Sequence, residues 1–513
     1  MESRNAYPAA VVRALEEAVM TAEGISGNAL MERAGAAAFE HGRRRFAQAR
    51  RWLVLAGSGN NAGDGFVIAR LAKEYGLGVE TLLLSPPNRL RGDAATQFEA
   101  MTAAGVPVAS YGGGGLPPCD LIVDAMLGIG LDRPLKGRYL EAVQAVNESG
   151  IPALSVDIPT GIHADSGRRM GAAVRAALTV TFIAEKSGLF LGEAPDHAGQ
   201  RVMEPLGRIP PQPHRKVEDA ADGRQRGLRI FAEQDWRAML AARRRADHKG
   251  RFGHVLVIGG GPGMGGAAWL AGEGALRAGA GLVSVATHPE HAGEWIRERP
   301  ELMVRAVRGG NDLAPLLERA TVVAVGCGLG QDRWARELFA AVRESSLPCV
   351  IDADGLNLLA RSPARSEPRS NAPPLVITPH PGEAGRLLGL SSGQVQADRL
   401  RALGELRQRV AGVVLLKGAH TLVSAEQGPP WVIDAGNPGM ATAGMGDVLA
   451  GLLAGLWAQF ADAIPENVAA LAAYAHARAG DIAAAAGQRG MIASDLVAAL
   501  RQVVNPETLE RGQ

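Results

Sequence analysis

The chain has 513 residues, 47% of them hydrophobic, 21% charged and only 4% aromatic, which is more than one hydrophobic core serves and points to two domains. Fifty-four Lys and Arg against fifty-three Asp and Glu leave a net charge of +1, so no global field gathers nucleic acid or anionic lipid, and neither is expected as a partner. Three cysteines, widely spaced and odd in number, argue against a disulfide framework or a zinc site and suit a reducing cytoplasm.

From the amino terminus, MESRNAYPAAVVRALEEAV carries scattered charge and no apolar core, and does not read as a secretory signal. Five short apolar runs follow: RWLVLAG, VETLLL, DLIVDA, ALSVDI and LTVTFIA, with GFVIARLAKEYG as the helix after the first. Strand and helix in alternation predict a doubly wound, mostly parallel α/β sheet with its site at the carboxyl ends of the strands.

The turn GSGNNAGDGF follows the first strand and opens a helix, where backbone N–H groups face a phosphate. It lacks the Lys-Ser/Thr ending of a nucleotide-hydrolysing P-loop. Its asparagines and Asp64 carry more information than its glycines, since Gly and Ser alone build such a turn. Asp124 ends the third strand, Asp157 ends the fourth, and Thr160 follows closely. Asn61, Asp124, Asp157 and Thr160 therefore converge at one crevice, and an all-oxygen set suits a hard cation. A single strand-end Asp as readily caps a turn.

These segments, with LEEAVMTAEGISGNALMERAGAAA, SVDIPTGIHADSG and TFIAEKSGL, together resemble the YjeF-type amino-terminal domain, the NAD(P)H-hydrate epimerase, from about residue 11 to 207. The resemblance implies that Asn60, Asn61, Ala62, Gly63 and Asp64 hold the substrate's phosphates. It implies potassium on Asn61, Asp124 and Thr160, and a substrate loop made of Gly128, Ile129, Gly130, Leu131, Asp132, Arg133 and Pro134, with Asp157 as a further substrate contact. Ala62 replaces a usual Gly, which matters only at positive φ, and Thr160 replaces a usual Ser and keeps the hydroxyl. Epimerisation at a carbon bearing hydroxyl needs a group that takes and returns a proton. Asp157 is the candidate, with Lys186 as an electrostatic partner, although a Lys near a strand end is more often solvated.

PLGRIPPQPHRKVEDAADGRQRG, 205–227, has no apolar periodicity and reads as an interdomain linker, giving domains 1–207 and 228–513 around a linker of 208–227. The run RRR at 243–245 is expected on a solvated helix face, and 361–374 is expected to be a surface insertion.

In the second half GHVLVIGG, GLVSVAT, TVVAVGCG, PCVIDADG, PLVITPH, GVVLLKG and PWVIDAG repeat the alternation and predict a second α/β sheet. GNPGMATAGMGDVLAG then sets glycines before an apolar helix, a phosphate site that needs no basic side chain. An acid placed there, Asp447, repels a phosphate unless it accepts a proton from an attacking hydroxyl or holds magnesium. A first-turn dipole partner would explain the helix but not the glycines. The uncharged run 448–461 is too short to span a membrane and reads as a buried helix.

The AGMGD anion hole, with HKGRFGHVLVIGGGPGMGG, VGCGLG, VIDADGLNLL, ITPHPGEAGRLL and LLKGAHTLV, resembles the ADP-dependent NAD(P)H-hydrate dehydratase of the ribokinase-like superfamily, over about 228–505. The resemblance implies that Asp447 is the base. Ala267, Gly328, His380 and Asp447 become substrate contacts, and Lys417, Gly418, Ala419, His420, Thr421 and Gly446 nucleotide contacts. The hydroxyl on C6 of the hydrated nicotinamide would be phosphorylated and phosphate then eliminated, with ADP and Mg2+ in the site. His380 could instead be a plain turn residue, Lys417 a surface residue, and Glu383 either a metal-orienting group or a helix cap. Cys327 replaces a usual Pro and Met445 a usual small polar residue.

Both resemblances together imply a bifunctional repair enzyme acting on NADHX and NADPHX, as a homo-oligomer of the tetramer kind. The rival is a ribokinase-like vitamin or sugar kinase whose front domain binds without catalysing. The sequence leaves ADP and ATP open as donors.

Overall fold

The apolar runs of the first half become strands buried on both faces, as a parallel sheet covered by helices requires. β1 (Asn5–Tyr7) lies apart from β2 (Arg51–Ala56), β3 (Gly78–Leu83), β4 (Val108–Ser110), β5 (Leu121–Ala125), β6 (Ala153–Val156) and β7 (Leu178–Phe182). β8 (Glu185–Lys186) pairs with β1 in parallel, and β9 (Gln200–Glu204) closes the edge of the main sheet. The main sheet runs β4-β3-β2-β5-β6-β7-β9, parallel throughout. Strand order reverses between β2 and β5, so their carboxyl ends open the crevice where such sheets bind ligands.

These elements belong to a computed structural model that describes residues 4–208, 227–293, 298–361, 373–460 and 462–506. The chain divides into two units, Asn5–Leu228 and one carrying Arg229–Gln513. Most of the linker read at 205–227, and 362–372 of the insertion read at 361–374, lie outside the described residues.

The second unit contributes β10 (Leu228–Phe231), β11 (His254–Ile258), β12 (Leu282–Thr287), β13 (Met303–Ala306), β14 (Val322–Val325) and β15 (Cys349–Ile351). β16 (Leu375–Ile377), β17 (Val413–Leu416), β18 (Leu422–Val423) and β19 (Trp431–Ile433) follow. The order is β13-β12-β11-β14-β15-β16-β17-β18-β19-β10. β18 alone runs against its neighbours, which makes the β17–β18 connection a short hairpin.

Helix Met445–Gln459 is buried from Val448 to Ala458, as a helix apolar on every side must be. It lies close against helix Gly265–Ala278, because a Cβ at Gly455 would stand 2.7 Å from the Ala275 carbonyl oxygen. Among the described residues no helix is long and apolar enough to cross a membrane. Arg243, Arg244 and Arg245 are exposed but sit in a loop, which corrects the expected helix face. Arg243 instead lays its guanidinium 3.6 Å from the centroid of the Phe252 ring, a contact that ties the loop down.

Candidate active sites

In the first unit two of the four expected strand-end oxygens meet, those of Asp124 and Thr160, while Asp157 contacts Thr181, Phe182 and Lys186 instead. Asp124 is fully buried and accepts from the Thr160 hydroxyl at 2.6 Å, the Thr160 N–H at 2.9 Å and the Ser155 hydroxyl at 2.8 Å. The Thr160 hydroxyl also lies 3.1 Å from the Leu127 carbonyl oxygen, and the Leu127 N–H reaches it at 3.0 Å. Next to Leu127, a Cβ at Gly128 would stand 3.6 Å from Asn61 Oδ1. Asn61 is 8% exposed, and neither of its side-chain polar atoms has a hydrogen-bond partner. A buried amide left unpaired is costly, so it marks a place for a ligand. Burial raises the Asp124 pKa against the hydrogen bonds that lower it.

Asn60 to Asp64 form the first turns of helix Asn60–Glu74, not a loop before it. Ala62 is not among the residues at positive φ and is fully buried, so the methyl that replaces the usual Gly is accommodated. Of the expected substrate loop, Asp132, Arg133 and Pro134 are exposed, Gly128 faces Asn61, and Leu131 packs into an apolar cluster with Met126 and Leu135. The Leu131 side chain therefore serves the core.

Asp157 follows β6 in the left-handed region, at φ 68, and Ile183 repeats this at φ 67 after β7. Strain of this kind concentrates at functional sites. Lys186 forms a direct ion pair with Asp157 and donates to the Phe182 carbonyl at 2.8 Å. With 0% of Lys186 exposed, the solvated reading of this lysine is overturned. Two more acids share the cluster. Burial pushes the Asp64 carboxyl well above the usual range, Asp157 and Glu16 add to the rise, and Lys186 opposes it. Burial raises Glu16 as well, again with Asp157 adding. The motif LEEAVM carried no chemical signal for Glu16, which reaches the site from the face of helix Ala9–Glu23 that also bears Arg13.

In the second unit Asp447 occupies the first turn of helix Met445–Gln459, behind Gly444 at φ 86. Burial, then the charge of Asp352, raise its pKa to about 6, while a hydrogen bond with Cys327 and the charge of Lys417 lower it. The Met445 side chain turns into the core, and its carbonyl oxygen meets His476 Nε2 at 2.9 Å, so this departure leaves the helix start to backbone. Burial holds His476 down to about 4, hence neutral.

Lys417, at the end of β17, lies 2.8 Å from Asp352 and 3.7 Å from Glu383. Burial alone would lower its pKa, but those two acids outweigh it and raise it. A Cβ at Gly446 would stand 3.2 Å from the Lys417 ammonium, which sets Lys417 beside the glycine-led helix start and not on an indifferent surface. Glu383 accepts from the His380 N–H at 2.8 Å and so caps helix Pro381–Leu388, while His380 remains 51% exposed over the strand ends. Gly328, at φ 58, lies against Ala267, whose Cβ a side chain at 328 would meet at 2.9 Å. In the β17–β18 connection Gly418 and Ala419 are exposed, Thr421 is half-buried, and His420 is buried 3.3 Å from Asp434. Asp352 went unassigned, although it ends β15 as Asp124 ends β5, and the same rule would have found it. Among the described residues no group of three or more His, Cys, Asp or Glu could hold a metal ion.

The family profile described as NAD(P)H-hydrate dehydratase matches residues 255–502, and that described as YjeF-related protein N-terminus matches 27–188. The chain is 44% identical to the bifunctional NAD(P)H-hydrate repair enzyme Nnr of Coxiella burnetii, covering 96% of this chain and 98% of that protein. It is 41% identical to the enzyme of the same name from Escherichia coli, over 94% and 90%. Among solved structures, the ADP/ATP-dependent NAD(P)H-hydrate dehydratase of Bacillus subtilis, co-crystallised with ATP and Mg2+, superposes with a TM-score of 0.50 at 28% identity. It covers 54% of this chain and 98% of its own.

Proposed function

The chain belongs to the bifunctional NAD(P)H-hydrate repair enzymes, with an epimerase domain and a dehydratase domain, and on that premise we propose which residues carry each reaction. Their substrates are the hydrated nicotinamide dinucleotides, which bear a hydroxyl on C6 beside the ring nitrogen.

In the dehydratase Asp447 takes the proton of the C6 hydroxyl as its oxygen attacks the terminal phosphate of ADP. One P–O bond forms and another breaks, releasing AMP. The C6–O bond of the phosphorylated hydrate then breaks with loss of a C5 proton, which restores the double bond. Phosphate leaves far more readily than hydroxide. The glycine-led helix start and Lys417 receive the transferring phosphate, Ala267, Gly328 and His380 line the substrate, and Lys417–Thr421 with Gly446 hold the nucleotide. Magnesium, when bound, neutralises phosphate charge. With only the separate carboxylates of Asp352 and Glu383 beside Lys417, it would be held chiefly through the nucleotide.

In the epimerase Asp157 exchanges the proton, Lys186 fixes its carboxylate, and Asp64, whose proton is retained to higher pH, stands by as an acid. Asn60–Asp64 and the 128–134 loop receive the substrate. The donor set fits potassium: the unpaired Asn61 amide, the Asp124 carboxylate and the Thr160 hydroxyl supply hard oxygens, and the cation would neutralise Asp124 and fix the loop at Leu127 and Gly128. The free cysteines Cys119, Cys327 and Cys349 suit a reducing compartment.

The observation that carries the dehydratase reading is Asp447, held near a pKa of 6 at a helix start beside Lys417. Asp447→Asn tests it: dehydration should be lost with epimerisation intact, and a variant that still dehydrates at the normal rate would remove Asp447 as the base.

A further inference from the structure

The connection from β17 to β18, Lys417–Thr421, is held from beneath by a side chain that no motif singled out. Arg399 opens helix Arg399–Val410 and is 6% exposed. Its Nη1 donates to the His420 carbonyl oxygen at 2.7 Å and its Nη2 to the Leu416 carbonyl oxygen at 3.1 Å. One planar guanidinium thus bridges the two residues that bracket Lys417, Gly418 and Ala419. The grip also explains Gly418, because a Cβ there would stand 2.6 Å from Arg399 Nη2 and 2.9 Å from its Cζ.

Two carbonyls do not neutralise a cation. Among the described residues no carboxylate pairs with Arg399, and its Nε is buried without a hydrogen-bond partner. Burial alone pushes its pKa down to about 10, which still leaves it charged at neutral pH. A buried charge without a counter-ion is costly, and a neutral amide could grip two backbone groups without that cost. The charge therefore asks for an anion above the loop, where Gly418 and Ala419 are exposed and Lys417 faces the helix start at Gly446.

We propose that Arg399 is the positioning residue of the nucleotide loop: it fixes Lys417–Thr421 through two carbonyls and leaves its positive charge to be matched by the phosphates of a nucleoside diphosphate. The inference rests on the assignment of that loop to the nucleotide.

The test uses the full chain, with Arg399→Lys retaining charge and Arg399→Met removing it, and reads Kd for ADP and for adenosine, kcat, and KM for the hydrate. Arg399→Lys should weaken ADP about ten-fold through loss of the two-armed grip, with kcat and hydrate KM within about two-fold. Arg399→Met should weaken ADP about a hundred-fold and adenosine far less. An unchanged Kd for ADP in Arg399→Lys overturns the proposal. So does an equal loss in kcat, hydrate KM and both nucleotide affinities, which would be a general defect of the fold. Where Arg399→Met does not fold, Arg399→Lys decides. Lys417→Ala serves as the reference: normal ADP affinity there would overturn the loop assignment itself, whereas lost affinity there beside a normal Arg399→Lys would overturn the role of Arg399 alone.

Discussion

The two halves place an acid over the carboxyl ends of a parallel sheet and then treat it in opposite ways. Asp157 is paired directly with a fully buried lysine and flanked by Asp64 and Glu16. Asp447 has its lysine at one remove, because Lys417 is bound by Asp352 and Glu383, and what it touches instead is the Cys327 thiol. The difference follows the chemistry. An epimerase must take and return a proton at one centre, so a carboxylate with a fixed counter-charge and a neighbouring acid that keeps its proton to higher pH suits it. A kinase-like base must lose its proton near neutrality and stand beside incoming phosphate, so its lysine is better reserved for the phosphate.

The comparison breaks hardest at Asp447. Asp447→Asn should lower kcat for dehydration by about 10³ or more while the epimerase rate stays within about two-fold, read in separate assays of the two activities. Asp157→Asn should lower epimerisation by about 10²–10³ and also destabilise the first unit by about 3 kcal/mol, since it strands Lys186 in the interior. Pairing it with Lys186→Met should restore the thermal transition and leave the activity absent, which separates the ion pair's structural share from its catalytic one.

Potassium sharpens the contrast next. Asn61→Ala should raise the potassium concentration needed for half-maximal epimerisation about ten-fold, with no change in dehydration, measured by titrating potassium against choline.

The smallest effects are in pH. As the proposed base, Asp447 would act when ionised, so dehydration should fall about ten-fold per pH unit below about pH 6. Because the Cys327 hydrogen bond lowers that pKa, Cys327→Ala should move the acid limb to higher pH. Stability runs the other way. The folded pKa of Asp447 lies above its usual value, so the folded state holds the proton longer and stability falls as pH rises through the window up to about 6. Asp447→Asn should therefore stabilise the second unit at pH 8, by up to about 3 kcal/mol.

Much of this was legible in sequence because parallel sheets send their strand ends to one side: Asp124, Asp157, Thr160, Lys417 and Asp447 each follow a strand or open a helix where that rule places a site. Asp352 obeys the same rule, following β15 at once, but that it is buried beside Lys417 shows only in the fold. Glu16 sits inside an amphipathic helix and Arg399 at the start of one, where a charged residue reads as solvent-facing until tertiary packing shows what it meets. Lys186 misled for the related reason that a buried lysine is rare and is licensed only by its partner. β4 escaped notice because all three of its residues are exposed and offer no apolar run. Met445 could be placed only once its side chain was seen to enter the core.

The most direct measurement follows the dihydronicotinamide absorbance recovered from a mixture of R and S hydrates of NADH, with ADP, magnesium and potassium present. The wild-type chain should recover the whole amount, Asp157→Asn should stop at the S fraction plus slow spontaneous epimerisation, and Asp447→Asn should recover almost nothing in the time the wild type needs. Full and rapid recovery by Asp157→Asn, or recovery by Asp447→Asn at the wild-type rate, would contradict the division of labour assigned to the two sites.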